Sequence, residues 1–402
     1  MLAIALVDRI GSGLWASVSV LYFTYVSGLS LAEVGTLVAV SGAIGIAGAP
    51  LGGRLADRLP LTRILAALQL VRAVASFTLL TTDNYALLLA ISAVGALGDR
   101  AANVLTKLYA TRIAGPDRVR YQAFNRTVAN AGWALGGLAA AAALALDTTT
   151  AYRWLLAGDA LSFVAAALLT LRCGEPPSPS RVVAGSKAEP GTAKPANPWR
   201  DRAYLAYVAT DTVLFLDDAV FKVGLPLWIA HSDQVPHGLA PLLMVLNNVM
   251  VVVLQVPLAR FGTTSEAARR LLVPLSAAFA LGGITMALSA TGGTLTAILL
   301  LTAAAAAFTV AEMLHATISW ELSVALAPDT AQGTYLGVHG LAQSAQRSIG
   351  PLAVTTAIAT GPFGWTAFGT AIALTCAIQH RLVRDRLPRT ALSVVPITVS
   401  EH

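Results

Sequence analysis

Charge is scarce in this 402-residue chain: 12% of its residues are Asp, Glu, Lys or Arg, against 56% hydrophobic. One water-soluble core cannot hide that much apolar surface, which excludes a soluble globular protein. Cysteine is nearly missing. Cys173 and Cys376 stand far apart, so neither a disulfide framework nor a cysteine metal site follows. Lysine is rare as well, four against 23 arginines, a bias typical of high-GC bacterial genomes. No H-E-x-x-H, G-x-S-x-G or nucleotide-binding glycine loop stands in a fitting context, and no soluble domain is left to house one. The expectation is therefore no enzyme, no cofactor and no metal. A cleavable leader is not expected either, because Asp8 and Arg9 interrupt the first apolar stretch.

What the chain has in quantity is long uncharged runs, and a membrane-spanning helix needs roughly 20 apolar residues. Runs read against turn residues place spans near 4–27, 31–51, 64–82, 85–108, 121–146 and 151–171. A second set falls near 203–230, 239–258, 271–290, 294–320, 333–359 and 366–384. Between the sets, residues 172–202 hold six bases, three acids and six prolines without apolar periodicity. That composition reads as a flexible linker. The fold expected is an all-α integral membrane protein of 12 transmembrane helices in two six-helix bundles. Residues 1–171 form one bundle, 172–202 a cytoplasmic linker, 203–386 the second bundle and 387–402 a cytoplasmic tail. Most of the 27 bases fall in loops or helix ends on the side of the N-terminus. By the positive-inside rule both termini are cytoplasmic, in a bacterial inner membrane. The net charge of +6 thus marks topology, and no nucleic-acid partner is expected. An internal repeat supports two halves: Pro116-Asp117 recurs as Pro328-Asp329, Tyr121 as Tyr335 and Gly136 as Gly350, at offsets of 212 to 214 residues.

Between the second and third spans the chain reads Gly52-Gly53-Arg54-Leu55-Ala56-Asp57-Arg58-Leu59-Pro60-Leu61-Thr62-Arg63. Gly53, Asp57, Arg58 and Arg63 resemble the helix 2–3 loop motif of the major facilitator superfamily, G-x-x-x-D-R-x-G-x-R-R/K. Pro60 replaces its second Gly and Thr62 its first base. The resemblance implies a gating loop, in which the Asp caps a helix across the interface between halves. Gly132-x-x-x-Gly136-Gly137 resembles part of the family's antiporter motif, whose Pro is missing there but present at Gly350-Pro351. Plain helix packing accounts for these small residues equally well. The resemblance to bacterial 12-helix drug/proton antiporters implies a secondary transporter that exports small amphipathic molecules with proton coupling, as a monomer in the bilayer. An importer of a small polar nutrient is the alternative, and a membrane receptor or scaffold is one from another class.

Charges at membrane depth are costly, so those retained should face protein or water. Glu312 is the first candidate for proton coupling, followed by Asp99, Asp217 and Asp218. Its neighbours in sequence are apolar, and the rival readings are a salt bridge to Arg100 or Arg347, or contact with a cationic substrate. Arg100, Asn103, Asp211, Lys222, His315, Trp15 and Tyr22 are expected on the wall of a central substrate cavity. Helical spacing puts Asp211, Asp218 and Lys222 on one stripe with Asp217 turned away, and Asp218 with Lys222 one turn apart. The same pair reads equally as a structural ion pair, His315 as a satisfied interior histidine, and Trp15 and Tyr22 as interface anchors.

Overall fold

The computed structural model describes residues 2–145, 148–178, 196–232, 234–236 and 238–387, except the side chains of Ser17 and Leu31. Residues 179–195 of the expected linker and 388–402 of the expected tail lie outside the described residues. Among those described there is no strand. Helices α1 (Leu2–Tyr25), α2 (Leu31–Gly45), α3 (Gly48–Arg58), α4 (Leu61–Leu79), α5 (Tyr85–Ala114), α6 (Arg118–Leu144) and α7 (Thr149–Leu171) form the first half. The second half comprises α8 (Arg202–Leu214), α9 (Leu225–Ala230), α10 (Leu239–Ala259), α11 (Ser265–Arg270), α12 (Leu272–Leu288), α13 (Thr294–Ala325), α14 (Gln332–Ala359) and α15 (Gly361–Arg384). With α2 and α3, α8 and α9, and α11 and α12 each read as one interrupted column, the described helices make the twelve expected columns.

Among the described residues, eight stretches are long and apolar enough to cross a membrane, one of them the two-helix stretch Tyr85–Leu144, and α1 adds a bent pair. The seventh and eleventh columns fall outside that set. The seventh is broken: after α8 come a single turn, Asp217–Ala219, and a π turn, Val220–Gly224. Pro226 has no N–H to return to the carbonyl of Lys222, which favours the wider turn before it. Pro50 acts alike in the second column, where it leaves the carbonyl of Ile46 without its helical donor at the break between α2 and α3.

One expectation needs correcting here. Asp57 and Arg58 do not lie in a loop, for α3 stays helical through Arg58 and the turn shrinks to Leu59 and Pro60. Beyond it, Glu175 accepts from the Leu61 and Thr62 amides at 2.7 and 2.9 Å and from the Thr62 hydroxyl at 2.5 Å. That carboxylate satisfies the free donors at the start of α4. Thr62, where the family motif has a base, thereby serves as a capping partner.

The repeat read in the sequence has a structural counterpart. Gly115–Asp117 and Asp329–Ala331 both form 3-10 turns, which lead into α6 and α14. Gly136 then packs on Ile10 and Gly13 of the first column, and Gly350 on Ala219 of the seventh. Gly132 meets Arg9 and Leu6 in the same contact, whereas Gly137 is half-buried and Pro351 exposed. The largest apolar cluster lies wholly within the second half, and another, around Tyr22 and Leu156, within the first. A third cluster crosses between halves, setting Ala49, Leu65 and Leu105 against Val324 and Leu336.

Candidate functional site

The halves meet along a seam that begins at Asp57. Its carboxylate accepts from the Gly333 amide at 3.0 Å and from the Thr334 amide and hydroxyl at 2.7 Å each. Asp57 thus caps α14, a helix of the other half, where the free amides and the helix dipole favour a negative charge. Arg112 stands 3.9 Å away on the first-half side. The approach is possible because Gly53 and Gly333 present bare backbone to each other, and a Cβ on Gly337 would come within 2.8 Å of the Ala49 carbonyl oxygen. Arg58 and Arg63 are exposed and form no ion pair among the described residues.

Deeper along the seam, Arg118 grips Glu321 with two bonds of 2.7 and 2.6 Å, and Glu321 is 1% exposed. Lys107 donates to Ser323 at 2.7 Å and lies over the Trp320 ring. About 13 Å further along α13 at 1.5 Å per residue, Glu312 is ion-paired to Arg126 of α6 and accepts from Asn247 at 2.7 Å. Its surroundings are therefore not apolar, and its partner is neither Arg100 nor Arg347. The sequence hid this because Arg126 comes from α6, 186 positions away.

Inside the first half, Arg72 bridges Asp8 at 2.8 Å and Asp99 at 3.1 Å, with Gln69 beside it. Asn103 donates to Asp99 at 3.3 Å and accepts from Arg9 at 2.7 Å. Asp99 is thus held by Arg72, whereas Arg100, next to it in sequence, forms no hydrogen bond or ion pair among the described residues. Tyr22 is 1% exposed, donates to the Leu79 carbonyl at 3.1 Å and packs edge-on against Trp15. It belongs to the bundle interior, with Trp15 half-buried above it.

The second half holds the larger departure. Asp211, fully buried, accepts from Ser319 at 2.7 Å, His339 at 2.8 Å, and His315 and Gln379 at 3.3 Å each. Asp217 is also buried, 3.8 Å from His315. Asp218 and Lys222 pair at 2.8 Å with side chains 41% and 64% exposed. The expected stripe of Asp211, Asp218 and Lys222 does not form, because the break after Leu214 and the π turn reset the helical register between them. Asp211 and His315 are therefore buried among helices of the second half, at 0% and 1% exposure. His339 and Gln379 of this network, and Lys107, Arg118 and Glu321 of the seam, were not singled out from the sequence. For Lys107, Glu321, His339 and Gln379 the signal was a polar residue inside a helix with apolar residues of that helix on both sides. Among the described residues, no cluster of His, Cys, Asp or Glu could hold a metal ion.

Chemically, the arrangement is two bundles fastened at one face by a cap, two ion pairs and a lysine contact. Each fastening has one partner in each bundle, so each spans the seam between them. The family model described as Major Facilitator Superfamily matches residues 1–351. Similar solved structures include a bacterial homologue of the iron transporter ferroportin in an outward-facing state, with 14% identity, 95% of this chain and 96% of that one covered, and a TM-score of 0.67. The proton:xylose symporter XylE bound to 6-bromo-6-deoxy-D-glucose gives 16%, 96%, 95% and 0.67. The human organic anion transporter MFSD10 gives 16%, 95%, 97% and 0.58. No curated protein sequence matches. These likenesses carry the fold, and the family match carries the class: the chain belongs to the Major Facilitator Superfamily and is a secondary transporter of that fold.

Proposed function

We propose that this transporter exports small amphipathic molecules across a bacterial cytoplasmic membrane by alternating access, coupled to inward proton movement. Residues 1–171 and 203–386 rock as two bodies about the seam, with the linker, both termini and the Asp57 face in the cytoplasm, and one chain suffices. The observation that carries this reading is the Glu312–Arg126 pair joining the halves. A proton reaching Glu312 cancels its charge and releases Arg126, so the closed face loses a fastening and can open. Loss of that proton to the cytoplasm restores the pair and closes the face again.

A pump-deficient bacterium expressing the chain and challenged with amphipathic antibiotics tests direction and substrate together. Export raises the inhibitory concentration of at least one compound. In everted vesicles the same compound accumulates when a pH gradient is imposed. Glu312→Gln, which mimics the protonated acid permanently, abolishes the pH-driven part and leaves downhill exchange. Driven accumulation that survives Glu312→Gln overturns the assignment of the coupling carboxylate and leaves Asp99, Asp217 and Asp218 as the next candidates. Accumulation of a polar nutrient in whole cells instead of export overturns the direction.

A further inference from the structure

The bases at membrane depth have partners, with two exceptions, the half-buried Arg100 and the exposed Arg347. Arg9 bonds Asn103, Arg72 bonds Asp8 and Asp99, Lys107 bonds Ser323, Arg126 pairs with Glu312 and Lys222 with Asp218. Arg100 and Arg347 form no hydrogen bond or ion pair among the described residues, and Nη1 of Arg100 is buried with nothing to donate to. A guanidinium with an orphaned, buried N–H is an unfavourable arrangement unless an acceptor arrives.

The two come from opposite halves. Helix α5 ends, and α14 begins, at the Asp57 face, so they run antiparallel across the seam. They touch where the Cβ position of Gly340 comes within 3.2 Å of Val104. From that contact Arg100 lies four residues, about 6 Å, toward the opposite face, and Arg347 seven residues, about 10 Å, in the same direction. The two side chains, each long enough to cover the difference in depth, therefore rise beside the seam together. Each lies close enough to feel the other's charge, and Arg347 also feels Asp99. Asp99 acts on both, but its oxygens are taken by Arg72 and Asn103, so the two like charges repel with no carboxylate bonded to either, the reverse of every fastening below them.

We propose that Arg100 and Arg347 form a two-sided anion site that takes the carboxylate, phosphate or sulfonate group of an organic anion. The planar fork of each guanidinium matches the paired oxygens of such a group. One anion seated between them satisfies the orphaned donor, cancels the repulsion and ties one half to the other. The assignment deepens the export reading and rests on it for the role of the bound molecule as cargo: the amphipathic substrate is an anion.

The test is equilibrium binding to the purified full chain in an uncharged detergent, with no gradient. Phenyl phosphate and benzoate are the probes, and benzyl alcohol and benzylamine the matched neutral and cationic controls. Phenyl phosphate and benzoate bind and raise the melting temperature, whereas the controls do neither. Arg100→Gln and Arg347→Gln each weaken the affinity at least tenfold, Arg100→Lys recovers part of it, and Arg270→Gln, which removes an exposed base elsewhere, changes nothing. On the unmutated protein, phenyl phosphate shields both arginines from phenylglyoxal, read by mass spectrometry, so the outcome does not depend on variant folding. Equal binding of benzylamine, unweakened binding in both Gln variants, or no shielding overturns the site. Stabilisation by phosphatidylglycerol but by neither soluble anion assigns the pair to a lipid headgroup and overturns it as a cargo site. Anion binding without pH-driven transport rejects the export reading and leaves the site standing. Driven transport without anion binding does the reverse.

Discussion

Asp211 and Asp218 are seven residues apart, yet one is fully buried among four donors and the other is exposed beside Lys222. Their positions carry different consequences for stability. Replacing Asp211 by Ala strands Ser319, His315, His339 and Gln379 in the interior, a loss on the order of 3–5 kcal/mol for breaking a buried charged network. Denaturant titration of the detergent-solubilised protein reads it as an early transition. For Asp218 and Lys222 the expected coupling is small, because water screens an exposed pair. A double-mutant cycle with Asp218→Leu and Lys222→Met should return an interaction below about 1 kcal/mol. A much larger value would mean that the pair is buried in the working protein. The residue types were legible in the sequence. Their facing was not, since a 3.6-residue period holds only while the helix is unbroken, and Phe215, Leu216 and the π turn intervene.

The elements were read more successfully, because apolar length is a property of a continuous stretch. The described columns fall near where the apolar runs and turn residues placed them, with the second extended to Arg58, the fourth to Ala114 and the tenth to Ala325, and with the seventh broken after Leu214. Pairing between elements was less legible. Gly53, Asp57 and Arg58 resemble a known motif, but that Asp57 bonds Gly333 and Thr334 rests on a contact across 276 positions. The cap belongs to the element scale, since it satisfies a helix end. Asp57→Asn removes the charge and one acceptor oxygen, and the lost charge–dipole contact alone weakens the cap by about 0.3–1 kcal/mol. The expected result is a properly inserted protein with slowed turnover. Cysteines placed along the Asp57 face should also label faster with a membrane-impermeant maleimide. Unchanged turnover and labelling would show that the cap is only structural.

For the molecule as a whole, the fastenings at Asp57, Lys107, Arg118 and Arg126 gather on one side of the bundle pair. If that face must part in each cycle, joining it covalently stops the cycle. Ala49 and Gly340 offer the place, as the Ala49 Cβ stands 2.9 Å from the Cβ position at Gly340. A slight parting brings the two to the roughly 3.8 Å separation of a disulfide. With Cys173 and Cys376 replaced, Ala49→Cys combined with Gly340→Cys should cross-link under oxidation, lose transport and regain it on reduction. Transport that persists through full cross-linking would place the moving interface elsewhere. The two-bundle organisation was legible at this scale from Pro116-Asp117 and Pro328-Asp329, which open equivalent helices. The conformation was not, because apolar runs carry no record of which face is shut.

The contact of Gly53 with Gly333 and Gly337 also bears on speed. Interlocked side chains must change rotamer before two helices can slide, and each such change adds to the barrier. Here backbone lies on backbone, so the surfaces resemble a plain bearing more than a gear. Dispersion between close-packed atoms holds them while shut, and almost nothing snags as they separate. The strength of closure is thereby left to the charged fastenings and the apolar cluster across the seam, and the smoothness of opening to residues that have no side chain at all.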